Sequence, residues 1–235
     1  MNSRRVVITG ASRGIGAAIA TELDARGHSV FGLSRQGETA AGEGLVCDVT
    51  DETAVRDTLA RIAAGGTIDV LINNAGLHRV RAIAKMETAL YRQVMDINAT
   101  AVFTMSREVY PHLARPGGKV INMGSFFDKL GVPDNLAYCA SKAAVAAMTR
   151  CMAVEWAKEG ITAINIAPGY ILTDLNRDFL MRDSVQAWIR QRVPVGRPGD
   201  AAEVARFIAL LVGDDLPYLT GETIYMDGGH GMNHG

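Results

Sequence analysis

At 235 residues, with 48% hydrophobic and 21% charged side chains, the chain has enough apolar mass for one large core. A net charge of −1 argues against a nucleic-acid surface. No apolar run approaches the ~18 residues of a membrane span. Ser3, Arg4 and Arg5 resemble the head of an export signal, but Arg13 and Glu22 interrupt any apolar region behind them, so a cytoplasmic chain is expected. Cys47, Cys139 and Cys151 are odd in number and lack metal-ligand spacing. They read as reduced packing residues, and no metal is expected.

The first predicted strand is the β-branched run Arg4–Thr9. Gly10-Ala11-Ser12-Arg13-Gly14-Ile15-Gly16 follows at once, then a helix over Ala17–Arg26 closed by Gly27. Strand, glycine-rich turn and helix form the opening of a dinucleotide-binding unit. Glycines let the backbone approach a pyrophosphate, which free N–H groups at the helix start attract. The spacing is G-x-x-x-G-x-G, not the more familiar G-x-G-x-x-G. Alone it reads equally well as an ordinary tight turn.

The remaining elements alternate. Strands are predicted over Ser29–Leu33, Gly44–Val49, Ile68–Ile72, Gly118–Met123, Ile161–Ala167 and Glu222–Met226. Helices are predicted over Glu52–Ala64, Met86–Ala114, Leu136–Glu159 and Asp200–Val212, with a helical insertion near Asp174–Arg192. Only twelve residues separate Arg35 from Asp48, so a loop is expected there. Strands without polar alternation are buried on both faces, as in parallel sheets. The expectation is a single α/β domain over 1–235, a doubly wound Rossmann fold with a seven-stranded parallel sheet, and a substrate lid within about 174–196.

Tyr138-Cys139-Ala140-Ser141-Lys142 puts Tyr138 and Lys142 on one helical face. A phenol has a reference pKa of ~10, and a neighbouring ammonium favours the phenolate. Such a pair could exchange a proton with an alcohol or ketone near neutral pH. By itself the spacing also fits a half-buried tyrosine beside a solvated lysine.

Thr9-Gly10-Ala11-Ser12-Arg13-Gly14-Ile15-Gly16, Asn73-Asn74-Ala75-Gly76, Asn98, Ser125, Tyr138-x-x-x-Lys142, Pro168-Gly169 with Thr173, and Asp227-Gly228-Gly229 stand in one order along the chain. In that order they resemble the short-chain dehydrogenase/reductase family over essentially the whole length. The chain's length and its closing D-G-G-H-G-M-N-H tail resemble the bacterial 3-oxoacyl-[acyl-carrier-protein] reductase branch. The resemblance implies that Ser125 hydrogen-bonds the substrate oxygen and Tyr138 exchanges the proton. Lys142 would bond the nicotinamide ribose, and Asn98 would hold a water linking Lys142 to solvent. It also implies that Asp48 and Val49 meet the adenine and that Asn74, Ala75 and Gly76 line the ribose side. Pro168, Gly169, Ile171 and Thr173 would flank the nicotinamide. Outside the resemblance, Ser125 reads as a strand-end turn serine and Asn98 as a helix cap. No His/Asp partner supports Ser125 as a nucleophile.

Cofactor choice falls at the end of the second strand, where an acidic residue would hold an NAD ribose. Ser34 and Arg35 stand there instead, with Arg13 able to approach. This set suits the 2′-phosphate of NADP(H). The alternative is that Arg35 is solvated and Glu38 turns inward to hold NAD.

The expected reaction interconverts a ketone and a secondary alcohol. The first substrate class is a 3-oxoacyl thioester; the second is a small hydroxy compound such as a sugar acid, polyol, or cyclic or steroid alcohol. An NADP-binding regulatory module is the non-enzymatic alternative. Phe126, Phe127 and Tyr170 are candidate substrate contacts, with Leu175, Phe179, Met181 and Trp188 around the lid. His78, Arg79 and Arg81 either edge the cleft and steer an acidic substrate or form a solvated loop. The charges Lys158, Glu155 and Glu159 make a mixed patch, a poor match for acidic acyl carrier protein. The helix from Leu136 is apolar nearly all round, so one face packs on the sheet and the other on a second copy. By resemblance, the assembly is a homotetramer.

Overall fold

The structure is a computed structural model that describes residues 3–233; Met1, Asn2, His234 and Gly235 lie outside it, and with them the last histidine of the closing tail. In chain order the elements are β1 (Arg5–Thr9), α1 (Gly14–Ala25), β2 (Ser29–Ser34), β3 (Glu43–Val46), α2 (Glu52–Ala63) and β4 (Val70–Asn73). Then come α3 (Thr88–Met95), α4 (Ala101–Val109), β5 (Lys119–Met123), α5 (Leu136–Trp156) and β6 (Thr162–Pro168). The chain continues through β7 (Ile171–Leu172), α6 (Arg177–Leu180), α7 (Asp183–Arg192), β8 (Gly199–Asp200), α8 (Ala201–Gly213) and β9 (Thr223–Met226).

Seven strands pair in parallel in the order β3-β2-β1-β4-β5-β6-β9. The chain reverses direction across the sheet between β1 and β4. Such a reversal opens a crevice beyond the carboxyl ends of the strands. Successive side chains of a strand face opposite ways. Val6 and Ile8 therefore join Ile19, Leu23 and Ile208 on the face covered by α1 and α8. Val7 joins Leu59, Val109 and Met152 on the face covered by α2, α4 and α5. Apolar cover on both faces is why these strands carry no polar alternation. Among the described residues no helix is long and apolar enough to cross a membrane.

Three expectations change in detail. The predicted helix 86–114 is divided: α3 passes through a π-helical turn, Asp96–Thr100, into α4. The wider turn leaves Asn98 fully buried, its amide bonded to Leu77 and Ser141. Strand β3 ends at Val46, so Asp48 and Val49 stand beyond it. The insertion is two short helices, α6 and α7, which close Leu180, Ile189 and Val193 over Tyr170 and Leu172. The expected loop after β2 is present, and its Ala40 N–H donates to the Ala11 carbonyl (3.3 Å), folding it onto the glycine turn.

Helix α5 buries Ala137, Ser141, Lys142, Val145 and Thr149 against the body. Its other face exposes Leu136, Ala143, Ala147, Cys151 and Val154.

Candidate active site

The glycine turn is built for close approach. Gly10 has φ +68°, and a Cβ on Gly16 would lie 2.2 Å from the Gly10 carbonyl oxygen. The Asn74 amide donates to the carbonyls of Thr9 (3.0 Å) and Gly10 (3.1 Å). The Thr9 hydroxyl accepts from the N–H groups of Asn74 (3.0 Å) and Ala75 (2.9 Å). The Asn74 side chain thus shapes the turn. Helix α1 starts at Gly14 with no side-chain cap from Arg13 and no acidic residue in its first turn. Its leading N–H groups are left for an anion, and Ser12, Arg13 and Ile15 sit around them.

At the end of β2 the Ser34 hydroxyl donates to the Glu38 carbonyl (2.8 Å). That bond ties the loop together. Arg13, Arg35 and Glu38 are all exposed. Two hydrogen bonds from Thr50 hold the Asp48 carboxyl below its ordinary range, helped by the nearby Arg35 cation. Arg35 and Asp48 therefore lie near one another beyond the ends of β2 and β3.

Ser125, Tyr138 and Lys142 converge where β5 gives way to α5. Ser125 follows the end of β5, and its Oγ accepts from the Phe127 N–H (3.3 Å). The nearby Ser125 hydroxyl pulls the Tyr138 phenol's pKa down, yet burial outweighs that effect and leaves the pKa above its ordinary value. The expectation that Lys142 lowers this pKa is corrected here. Lys142 Nζ donates to the Met123 carbonyl (2.7 Å) and lies 5.7 Å from the tyrosine ring centre. Burial brings the lysine down to about 8.

Asn98 is no helix cap. Its Oδ1 accepts from the Leu77 N–H (2.7 Å), while its Nδ2 donates to the Leu77 carbonyl (2.9 Å) and Ser141 Oγ (3.0 Å). The amide thus clamps the chain just past Gly76 to the helix that carries Tyr138 and Lys142, where a water relay was expected.

Beyond Tyr138 the cleft has an aromatic wall. Phe127 meets Tyr138 edge-on at 5.9 Å, and Phe126 meets Phe127 at 4.7 Å and Tyr170 at 5.2 Å. Tyr170 in turn meets Trp188 at 5.4 Å. His230, unassigned from sequence, packs on Phe126, Tyr170 and Trp188 at 5.2, 5.7 and 5.6 Å. The tail that carries it is anchored by the Tyr225 hydroxyl, which donates to the Asp128 carboxylate (3.0 and 3.2 Å), with Lys129 Nζ 3.5 Å from the Tyr225 ring centre. Under the lid, Tyr170, Phe179, Leu180, Val185, Trp188 and Ile189 line a cavity of about 290 Å³. Leu175 and Met181 are exposed, apart from this wall. Arg79 donates to the His78 carbonyl (3.3 Å) and Arg81 to that of Lys85 (3.1 Å), so neither guanidinium reaches into the cleft.

A family model described as enoyl-(acyl carrier protein) reductase matches residues 10–231. The chain belongs to the short-chain dehydrogenase/reductase family. It is an oxidoreductase of the class acting on CH–OH groups. The 3-oxoacyl-[acyl-carrier-protein] reductase of Haemophilus influenzae is 36% identical, over 97% of this chain and 98% of that protein. The 3-oxoacyl-[acyl-carrier-protein] reductase MabA of Mycobacterium bovis is 37% identical, over 99% of this chain and 94% of its own length. Among solved structures of the short-chain dehydrogenase/reductase family, the gluconate 5-dehydrogenase of Burkholderia cenocepacia, in complex with NADP and tartrate, is similar. It superposes with a TM-score of 0.90 at 32% identity, covering 99% of this chain and 97% of that one.

Proposed function

We propose that the chain interconverts a ketone and a secondary alcohol with NADP(H), and that its substrate is a 3-oxoacyl thioester. The observation that carries this is the convergence of Ser125, Tyr138 and buried Lys142 beyond the end of β5, with Lys142 Nζ 5.7 Å from the Tyr138 ring centre. A bound nicotinamide supplies or accepts the hydride. The uncapped start of α1 and the bare Gly10–Gly16 contact fit a pyrophosphate. Arg13 and Arg35 fit a 2′-phosphate; Asp48 and Val49 edge the adenine side. Ala75 and Gly76, with the backbone of Asn74, line the ribose side, and Pro168, Gly169, Ile171 and Thr173 line the nicotinamide side.

In reduction, Ser125 holds the carbonyl oxygen and Tyr138 gives it a proton as the carbon gains hydride. Burial keeps the phenol protonated at neutral pH, which suits a proton donor. Lys142 holds the ribose and, once redirected from Met123, favours the phenolate left behind.

The thioester reading draws on the two acyl-carrier-protein reductases named above and on the aromatic wall. A polyol would leave buried hydroxyls short of partners against such a wall. The second reading, a sugar-acid dehydrogenase, draws on the superposition with the gluconate enzyme. The apolar face of α5 (Ala143, Ala147, Val154) is the surface on which copies would assemble into a homotetramer, with mass in solution as its test.

The deciding experiment follows NADPH absorbance over a panel of acetoacetyl thioester, sugar-acid ketones and cyclic ketones, repeated with NADH and with Tyr138→Phe. Fast thioester reduction with NADPH, abolished in Tyr138→Phe while NADPH still binds, is expected. Turnover confined to a sugar acid moves the function to the second reading. A fully active Tyr138→Phe overturns the mechanism.

A further inference from the structure

His78 lies outside the Ser-Tyr-Lys set, yet its imidazole packs on the Tyr138 ring, with centres 4.6 Å apart and planes tilted by 53°. On another side Phe127 meets Tyr138 edge-on, so the phenol is bracketed by two rings. The imidazole is not loose. Its Nε2 lies 2.5 Å from Asn135 Oδ1. The Asn135 Nδ2 donates to the Pro133 carbonyl (2.7 Å), which leaves Oδ1 as the acceptor and makes Nε2 the ring's donor.

Asn135 stands at the N-cap of α5 and is buried, but its side chain does not cap the helix. An asparagine there ordinarily accepts from the first-turn N–H groups. Here the helix opens through the Asn135 carbonyl, which accepts from Cys139 N–H (2.9 Å), and the amide reaches across to His78. The loop carrying His78 is fixed on both flanks. Asn98 clamps Leu77 before it, and Arg81 N–H donates to the Asp134 carbonyl (2.7 Å) after it.

We infer that His78, held by Asn135, is a positioning residue that sets the orientation of the Tyr138 phenol for proton transfer. The inference rests on the Ser-Tyr-Lys reading above. A misplaced proton donor costs rate and leaves binding intact, because the phenol's orientation counts in the transition state.

The experiment has two arms. In steady-state ketone reduction, His78→Ala should lower kcat about tenfold, with the ketone KM and the NADPH affinity unchanged. Asn135→Ala should show the same split, and the double variant should lose no more than the worse single one, because the two residues act as a unit. His78→Phe, which keeps a ring on the phenol, should recover part of kcat. Unchanged kcat, a loss expressed in KM or NADPH affinity, or multiplicative losses would overturn the inference. The second arm needs no turnover. In protein with ring-labelled tyrosine, the Tyr138 NMR resonance, assigned through Tyr138→Phe, should move in both His78→Ala and Asn135→Ala. A resonance that stays in place overturns the inference. If the wild type reduces no carbonyl at all, the functional reading fails and this second arm alone judges His78.

Discussion

Asn98 and Leu77 are joined twice: the amide oxygen accepts from the Leu77 N–H at 2.7 Å, and the amide nitrogen donates to the Leu77 carbonyl at 2.9 Å. The π-helical turn aims the amide, and the third bond, to Ser141, ties the pair to α5. Asn98→Ala would strand both backbone groups of Leu77, at about 1–3 kcal/mol for buried groups left without partners. Thermal unfolding should show that loss. Asn98→Asp, which keeps only the acceptor, should recover part of it.

Arg35→Asp tests the cofactor assignment. Arg35 and Asp48 lie near one another beyond β2, and a second carboxylate there would repel a 2′-phosphate. The Kd for NADPH should rise tenfold or more, about 1.4 kcal/mol, with a smaller change for NADH. Equal changes measured by fluorescence titration would remove the basis for preferring NADP(H).

Lys142 gives a pH-dependent stability. Burial lowers it in the fold to about 8, below its ordinary 10.5. The folded chain therefore binds fewer protons than the unfolded chain between those values. The cost of burying the ammonium is fully present below pH 8 and fades as pH rises toward 10.5. Lys142→Met should thus be more stable than wild type at pH 7 without nucleotide, by at most about 3 kcal/mol. Loss of the bond to Met123 offsets about 1 kcal/mol of that. The advantage should shrink above pH 8, while turnover is lost throughout. Melting curves at several pH values check the sign; an advantage that grows with pH would contradict it.

Trp188→Ala opens the wall beneath the lid, where the indole meets Tyr170 edge to face and His230 at a 45° tilt. Aromatic pairs contribute about 0.5–1.5 kcal/mol beyond the area they bury. KM for long-chain or ring-bearing 3-oxo substrates should rise several-fold, with little change for acetoacetyl thioester. A selective effect on sugar acids would instead place a polyol against this wall.

Much of the architecture was legible in the sequence because each strand between two helical layers is a short apolar run, and such runs survive without context. Tyr138 and Lys142 were legible as a pair because four residues make one helical turn. The π-helical turn was not, since Asp96–Thr100 has the composition of the helix on either side. Nor was the link from His78 to Asn135, separated by 57 positions and dependent on a loop clamped elsewhere. His230 stayed hidden for the same reason: the bond from Tyr225 to Asp128, with the pairing of β9 on β6, brings the tail to the cleft. The bonds of Asn74 and Ser34 to nearby backbone carbonyls were not legible either, because that demand appears only once the turns are folded.

The anchoring of Tyr225 on Asp128 also orders events during synthesis. Ser125, Tyr138 and Lys142 leave the ribosome some ninety residues before the tail does. The wall has to wait for β9 to add to β6 and carry His230 across. A nascent chain thus carries all three side chains of the proposed centre well before the wall beside them can be completed.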